Sequence, residues 1–221
     1  MKEKGQMKGL IKDTLILFAI TLIAGVLLGV VNELTKEPIA QQELAAKATA
    51  CGEVFYEADA SGHMVEVVSL TFEELSETEV AALNEKCAGS YSSSITADAV
   101  YRALQADGSL YGYVIGITTK EGYGGAISFY MGVTADGVLK GVSLLSIAET
   151  PGLGMNAESV LIPQFRNVKA DAFFVTKGGD GAQSDEAIDA ITSATITSDA
   201  ITNGVNAGMT CFRALTEGGN S

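Results

Sequence analysis

Residues 100–119 read VYRALQA, Asp107-Gly108, SLYGYVIGITT (the last run from 109), and residues 126–147 read AISFYMGV, Thr134-Ala135, Asp136-Gly137, VLKGVSLLSI. Asp-Gly between β-rich runs favours the tight turns that join antiparallel strands. Each stretch therefore reads as a β-hairpin, and the second repeats the first 29 residues later. With Gly122-Tyr123-Gly124-Gly125 between them, the pair predicts a four-stranded, mostly antiparallel sheet. Downstream, MNAESVLIPQFR at 155–166 mixes apolar and polar positions and reads as a helical stretch. Residues 199–216 read as a second helix, with Ser198 as N-cap and Asp199 in its first turn. Upstream, MVEVVSL (64–70) reads as a short strand, followed by an acidic helical stretch over 71–87 whose glutamates form a solvated face. The class is α+β, a mostly antiparallel sheet with flanking helices against one face.

The N-terminal end has a different character. Residues 14–31, TLILFAITLIAGVLLGVV, carry no charge. At 1.5 Å per residue the run spans about 27 Å, close to the hydrocarbon thickness of a bilayer. It is longer than the apolar core of a cleaved signal peptide, and NELTKEPIAQQ after it offers no small-x-small cleavage site. One transmembrane helix retained as an anchor in the lipid bilayer is the reading. Lys2, Lys4, Lys8 and Lys12 precede it against Glu3 and Asp13, which leaves the N-terminus in the cytoplasm and the rest outside. Gly25 and Gly29 form a GxxxG with Thr21 one turn back, a face that permits close helix approach. Residues 36–50, with Pro38 near their start and good helix formers after it, read as a helix or stalk leaving the membrane.

Composition narrows the function classes. A net charge of −13 in 221 residues repels phosphate backbones and argues against nucleic acid as a partner. One histidine, His63, excludes a His-rich metal site. Cys51, Cys87 and Cys211 are too few and too scattered for an iron–sulfur cluster or a structural zinc. Their odd number leaves either a free thiol or a compartment in which thiols stay reduced.

The chemistry concentrates in Asp189-Ala190-Ile191-Thr192-Ser193-Ala194-Thr195-Ile196-Thr197-Ser198. Hydroxyls crowd the start of the last helix, where unpaired N–H groups and partial positive charge suit a phosphate. On physics alone this is either an anion site or a capping segment with spare Ser and Thr.

The segment resembles the flavin-attachment motif of the FMN-binding domain found in the G subunit of the Rnf electron-transport complex. The same domain occurs in the C subunit of the sodium-pumping NADH:quinone oxidoreductase. In that family the last threonine of a Ser/Thr-Gly-Ala-Thr core is esterified to the FMN phosphate by a dedicated flavin transferase. The resemblance makes Thr195 the attachment residue, with Asp189, Thr192 and Ala194 matching the rest; Ser193 stands where glycine is usual. A positive φ there would strain a serine. Gly122-Tyr123-Gly124-Gly125 and Glu149-Thr150-Pro151-Gly152-Leu153-Gly154 resemble two further family segments in the same order, the second approaching the flavin. On this resemblance Glu149, Thr150, Gly152, Leu153 and Gly154 join Thr192, Ser193, Ala194 and Thr195 in binding FMN. No residue is assigned as catalytic or metal-binding. The implied protein is a redox subunit of a multisubunit ion translocase rather than an independent catalyst. It would relay electrons among the membrane and peripheral subunits of an Rnf-type ferredoxin:NAD oxidoreductase, on the outer face of a bacterial cell membrane.

The chain then divides into a cytoplasmic N-terminus (1–13), a transmembrane helix (14–34), a stalk and the first part of the exported region (35–94), the FMN-binding domain (95–217) and a tail (218–221). Competing readings are a quinone-reductase C-type subunit, a cofactor-free extracytoplasmic binding or scaffold protein, and a free-standing flavin reductase. Gly152-x-Gly154-x-x-Ala157 imitates a dinucleotide fingerprint, but that needs a parallel βαβ unit where the hairpins demand antiparallel pairing. Tyr111, Tyr113, Tyr123 and Tyr130 alternate with apolar positions and read as sheet packing rather than a flavin stack.

Overall fold

The computed structural model describes residues 2–58, 61, 63–66, 68–179, 181 and 184–217; the side chains of 2–13, 37–46 and 48 lie outside that description, as do the tail at 218–221 and part of the 64–70 segment. The chain forms two compact units, Met1–Ala46 and Lys47–Ser221.

The anchor and the stalk are one helix, α1 (Lys2–Glu53). Pro38 lies inside it rather than opening a new one: a proline forfeits one backbone bond, and the helix formers on either side carry the helix past it. Within α1, Thr14–Lys36 is long and apolar enough to cross a membrane, at mean hydropathy 2.7.

The second unit is built on a five-stranded antiparallel meander. Two short strands come first, β1 (Glu57–Ala58) and β2 (Met64–Val65), paired with each other. The meander follows in chain order as β3 (Thr71–Glu74), β4 (Ile95–Leu104), β5 (Leu110–Thr119), β6 (Ile127–Thr134) and β7 (Leu139–Ile147). Both Asp-Gly turns fall where expected, with Gly108 at φ 81° and Gly137 at φ 86°. The α+β class holds, with two corrections. Among the described residues, the strand expected at 64–70 is formed only at β2. The acidic stretch after it is a strand and then a helix: β3 pairs with β4, and α2 (Glu77–Lys86) starts only at a capping box. Ser76 Oγ accepts the Glu79 N–H at 3.4 Å while the Ser76 N–H donates to Glu79 Oε2 at 2.9 Å. Ser-x-x-Glu is a stop-and-start signal that the sequence displayed at Ser76–Glu79.

Alternation along the strands sorts the two faces. Ile115, Ile117, Phe129 and Met131 are fully buried on one face. They pack there under α4 (Thr195–Glu217). A side chain at Gly204 would sit 2.8 Å from Phe129 Cζ, and one at Gly208 would collide with Met131 Sδ. Two glycines one turn apart thus let the α4 backbone lie against the sheet. The other face is not bare, as helices on one face alone would leave it. The last turn of α1 and the two residues after it cover it with Ala50, Cys51, Val54 and Phe55, against Ala103, Val114 and Tyr130.

All three cysteines are free and buried. Burial, with Glu74 nearby, pushes the Cys51 thiol up to about 12. Burial likewise holds Cys211 at about 12, where its Sγ lies 3.6 Å from the Tyr91 hydroxyl.

After β7 the expected single helix over 155–166 is three short pieces: a 3-10 turn (Gly154–Asn156), α3 (Ala157–Val160) and a second 3-10 turn (Ile162–Phe165). A short parallel pair, β8 (Phe174–Thr176) with β9 (Ala187–Asp189), leads into α4.

Candidate functional site

The loop after β7 and the start of α4 meet at the edge of the sheet. Thr150 begins a tight turn in which its carbonyl accepts the N–H groups of Leu153 (3.1 Å) and Met155 (3.3 Å). Gly152 sits at φ 76° inside that turn. Gly154 is the point of contact, since a Cβ there would lie 2.7 Å from both Glu149 Cβ and Thr197 Oγ1. This closeness fixes Glu149 beside the first turn of α4. Glu149 is only 7% exposed, and no hydrogen-bond donor among the described residues reaches its Oε1. A buried acceptor without a partner costs about 1–3 kcal/mol and calls for an explanation such as a missing ligand.

The segment from Asp189 to Ser198 is held from both ends. Asp189, at the end of β9, accepts from Thr176 Oγ1 (3.0 Å) and the Gly181 N–H (2.9 Å) through Oδ1. Gln164 brackets its backbone, accepting the Asp189 N–H at 2.8 Å and donating to its carbonyl at 3.1 Å. The Ala194 N–H then closes a turn onto the Ile191 carbonyl at 2.9 Å. Ser193, inside that turn, has φ 63°, so the left-handed geometry that favours glycine is met here by serine.

Helix α4 begins at Thr195, four residues earlier than the Ser198-Asp199 pattern implies. Ser198 is no N-cap: its Oγ, fully buried in the first turn, accepts the Ile191 N–H (2.9 Å) and donates to the Ala194 carbonyl (3.0 Å). The cap position falls to Ala194, which has no side-chain oxygen to offer. The first backbone bond into the helix is Ser198 N–H to Ala194 C=O, at 3.1 Å. The N–H groups of Thr195, Ile196 and Thr197 are thereby left open toward whatever stands before the helix.

A cleft of about 570 Å³ opens in front of this helix end, lined by Tyr123, Glu149, Thr150, Leu153, Gly154 and residues 193–197. Of the residues expected from sequence, Thr195, Ser193, Ala194, Glu149, Thr150, Leu153 and Gly154 line it. Thr192 and Gly152 do not: Thr192 is exposed in the turn before Ser193, and Gly152 shapes its loop. Tyr123, Ile196 and Thr197 line it without having been expected. Tyr111, Tyr113 and Tyr130 are packed on the sheet as anticipated, whereas Tyr123 is 72% exposed at the cleft. No lysine, arginine or histidine is among the lining residues. An anion here meets helix N–H groups rather than a cationic side chain.

An uncapped helix end, a half-buried threonine, a buried acceptor without a donor among the described residues and a cleft of cofactor size form a candidate site whose residues fit a phosphate-bearing group such as FMN. Comparison with known proteins agrees. The model of the FMN-binding domain matches residues 122–210, and that of the RnfG N-terminal region matches residues 1–54. The G subunit of the Na(+)-translocating ferredoxin:NAD(+) oxidoreductase complex of Acetobacterium woodii is 30% identical over 219 residues, covering 98% of this chain and 99% of that one. The G subunit of the proton-translocating ferredoxin:NAD(+) oxidoreductase complex of Clostridium ljungdahlii is 40% identical over 117 residues, 52% of this chain and 61% of that one. In fold, the chain is similar to NqrC of Shewanella oneidensis, with TM-score 0.53 at 18% identity over 78% of this chain and 98% of that one. The chain belongs to the G-subunit family of Rnf-type ion-translocating oxidoreductase complexes.

Proposed function

We propose that this protein is the membrane-anchored electron-transfer subunit of an Rnf-type ferredoxin:NAD oxidoreductase that couples electron flow to ion translocation. It carries FMN as a phosphoester on Thr195 Oγ1. When bound, the flavin supplies the electron chemistry; this chain's residues position it. The observation that carries the reading is Thr195 as the first residue of an uncapped 23-residue helix, inside a cleft where Glu149 Oε1 has no hydrogen-bond partner among the described residues. A phosphate on Thr195 lies where open N–H groups and the helix dipole favour negative charge. Glu149 Oε1 offers an acceptor for a ribityl hydroxyl or a ring N–H. Without a cationic side chain in the lining, a dissociable phosphate would be held weakly, so an ester bond made by a flavin transferase is the effective tether.

The lysines at the start of α1, ahead of its apolar stretch, orient the helix with its N-terminus in the cytoplasm and the flavin unit outside the bacterial cell membrane. There it would meet the other membrane and peripheral subunits of the complex. The test is the intact mass of the full-length chain co-produced with a flavin transferase. It should exceed the polypeptide by FMN less one water, and Thr195→Ala should abolish both the added mass and the yellow colour. A variant that keeps both refutes the assignment.

A further inference from the structure

The site leaves one side chain without a role. Tyr123 is 72% exposed, the most open large apolar or aromatic side chain of the second unit among the described residues. Among those residues its ring joins none of the aromatic pairs, and its hydroxyl none of the hydrogen bonds. An exposed tyrosine on a loose loop would mean little, but this loop is clamped. A Cβ on Gly122 would strike the Gly125 carbonyl and come within 2.8 Å of Glu149 Oε1. A Cβ on Gly124 would strike the Ala148 carbonyl and lie 3.3 Å from Glu149 Cα. The backbone on both sides of Tyr123 is thus seated against Ala148 and Glu149, just past the end of β7, and its side chain leaves from a held place with no ring or hydrogen-bond partner among the described residues.

That place is the mouth of the cleft containing Thr195. Tyr123 is the sole aromatic among the lining residues, and Leu153 and Ile196, both partly open to solvent, add apolar surface to the same walls. An aromatic side chain on a held backbone beside apolar walls suits a flat conjugated ring, because aromatic surfaces gain from offset stacking beyond the area they bury. We propose that Tyr123 is the stacking face for the isoalloxazine ring of the flavin tethered at Thr195. The inference rests on that attachment and adds the residue that fixes where the ring lies.

The experiment compares the full-length chain with Tyr123→Leu and Tyr123→Trp, each co-produced with a flavin transferase and purified from membranes in detergent. Flavin fluorescence is read per attached flavin, with occupancy taken from intact mass. Phenol and indole rings in contact with a flavin quench its emission, while leucine fills space without quenching. The wild type should be dim, Tyr123→Leu several-fold brighter, and Tyr123→Trp as dim as the wild type or dimmer. Equal brightness of wild type and Tyr123→Leu at equal flavin content overturns the stacking role and leaves the attachment intact. A wild-type chain of bare polypeptide mass overturns the attachment, and the stacking role with it. Should Tyr123→Leu fail to take up flavin, the wild-type emission decay decides. A dominant sub-nanosecond component supports ring contact, and its absence overturns it.

Discussion

Two stretches of the same helix, α4, face very different surroundings. Around Gly204 and Gly208 the helix lies on Phe129 and Met131, both fully buried, with no room for a single added methyl group. At Thr195 it has a cap position without a side-chain oxygen, a left-handed serine just before it, a carboxylate oxygen without a donor among the described residues, and a tyrosine in solvent beside it. The first region is close-packed against the sheet. The second breaks several local rules at once, and such breaches gather where a protein has been shaped around something other than itself. The separation is not perfect. Thr202 Oγ1 on α4 is also buried without a partner among the described residues, and nothing in the packing explains it.

The contrast can be broken by substitutions on each side of it. Phe129→Ala should cost about 3–5 kcal/mol, as expected when a fully buried ring is removed. It should leave flavin content per folded molecule unchanged. Chemical denaturation and intact mass together check this, and a selective loss of flavin would merge the two regions. At the cleft the sign should reverse. In a Thr195→Ala background, which has no flavin to meet it, Glu149→Met should stabilise the chain by about 1–3 kcal/mol, by removing an unsatisfied buried acceptor. Destabilisation there would mean that Glu149 is a structural residue. The smallest effect is expected from Ser193→Gly, which should gain about 1 kcal/mol by relieving the left-handed backbone. Attached flavin should be undiminished, and a drop in flavin mass would show that the serine hydroxyl takes part in the attachment.

The sheet was legible because its signals are local and redundant. Asp107-Gly108 and Asp136-Gly137 fix two turns, and the runs around them are rich in the branched and aromatic residues of strands. β3 was hidden because four residues, Thr71–Glu74, precede a strongly helical sequence and are strand only through pairing with β4. β8 and β9 are three residues each and stabilise one another across an intervening loop, so neither shows a period of its own. The helix start was misplaced for a specific reason. Ser198-Asp199 has the chemistry of a cap, but Ser198 turns its hydroxyl inward to hold Ile191, and the true cap position carries an alanine. Thr195, Glu149 and Gly154 were accessible through the motif resemblance. Tyr123 was not, because alternation with apolar residues could not separate it from Tyr113 and Tyr130. Only its place on a clamped glycine loop outside the strands does so.

Asp189 makes one further point. Its carboxylate is engaged by Thr176 and Gly181 and its peptide groups by Gln164, so it splints the ribbon that, on the proposed attachment, presents Thr195 to a flavin transferase. Damage to such a splint would show itself during maturation. On the proposed attachment, a larger share of the chains would then keep the bare polypeptide mass.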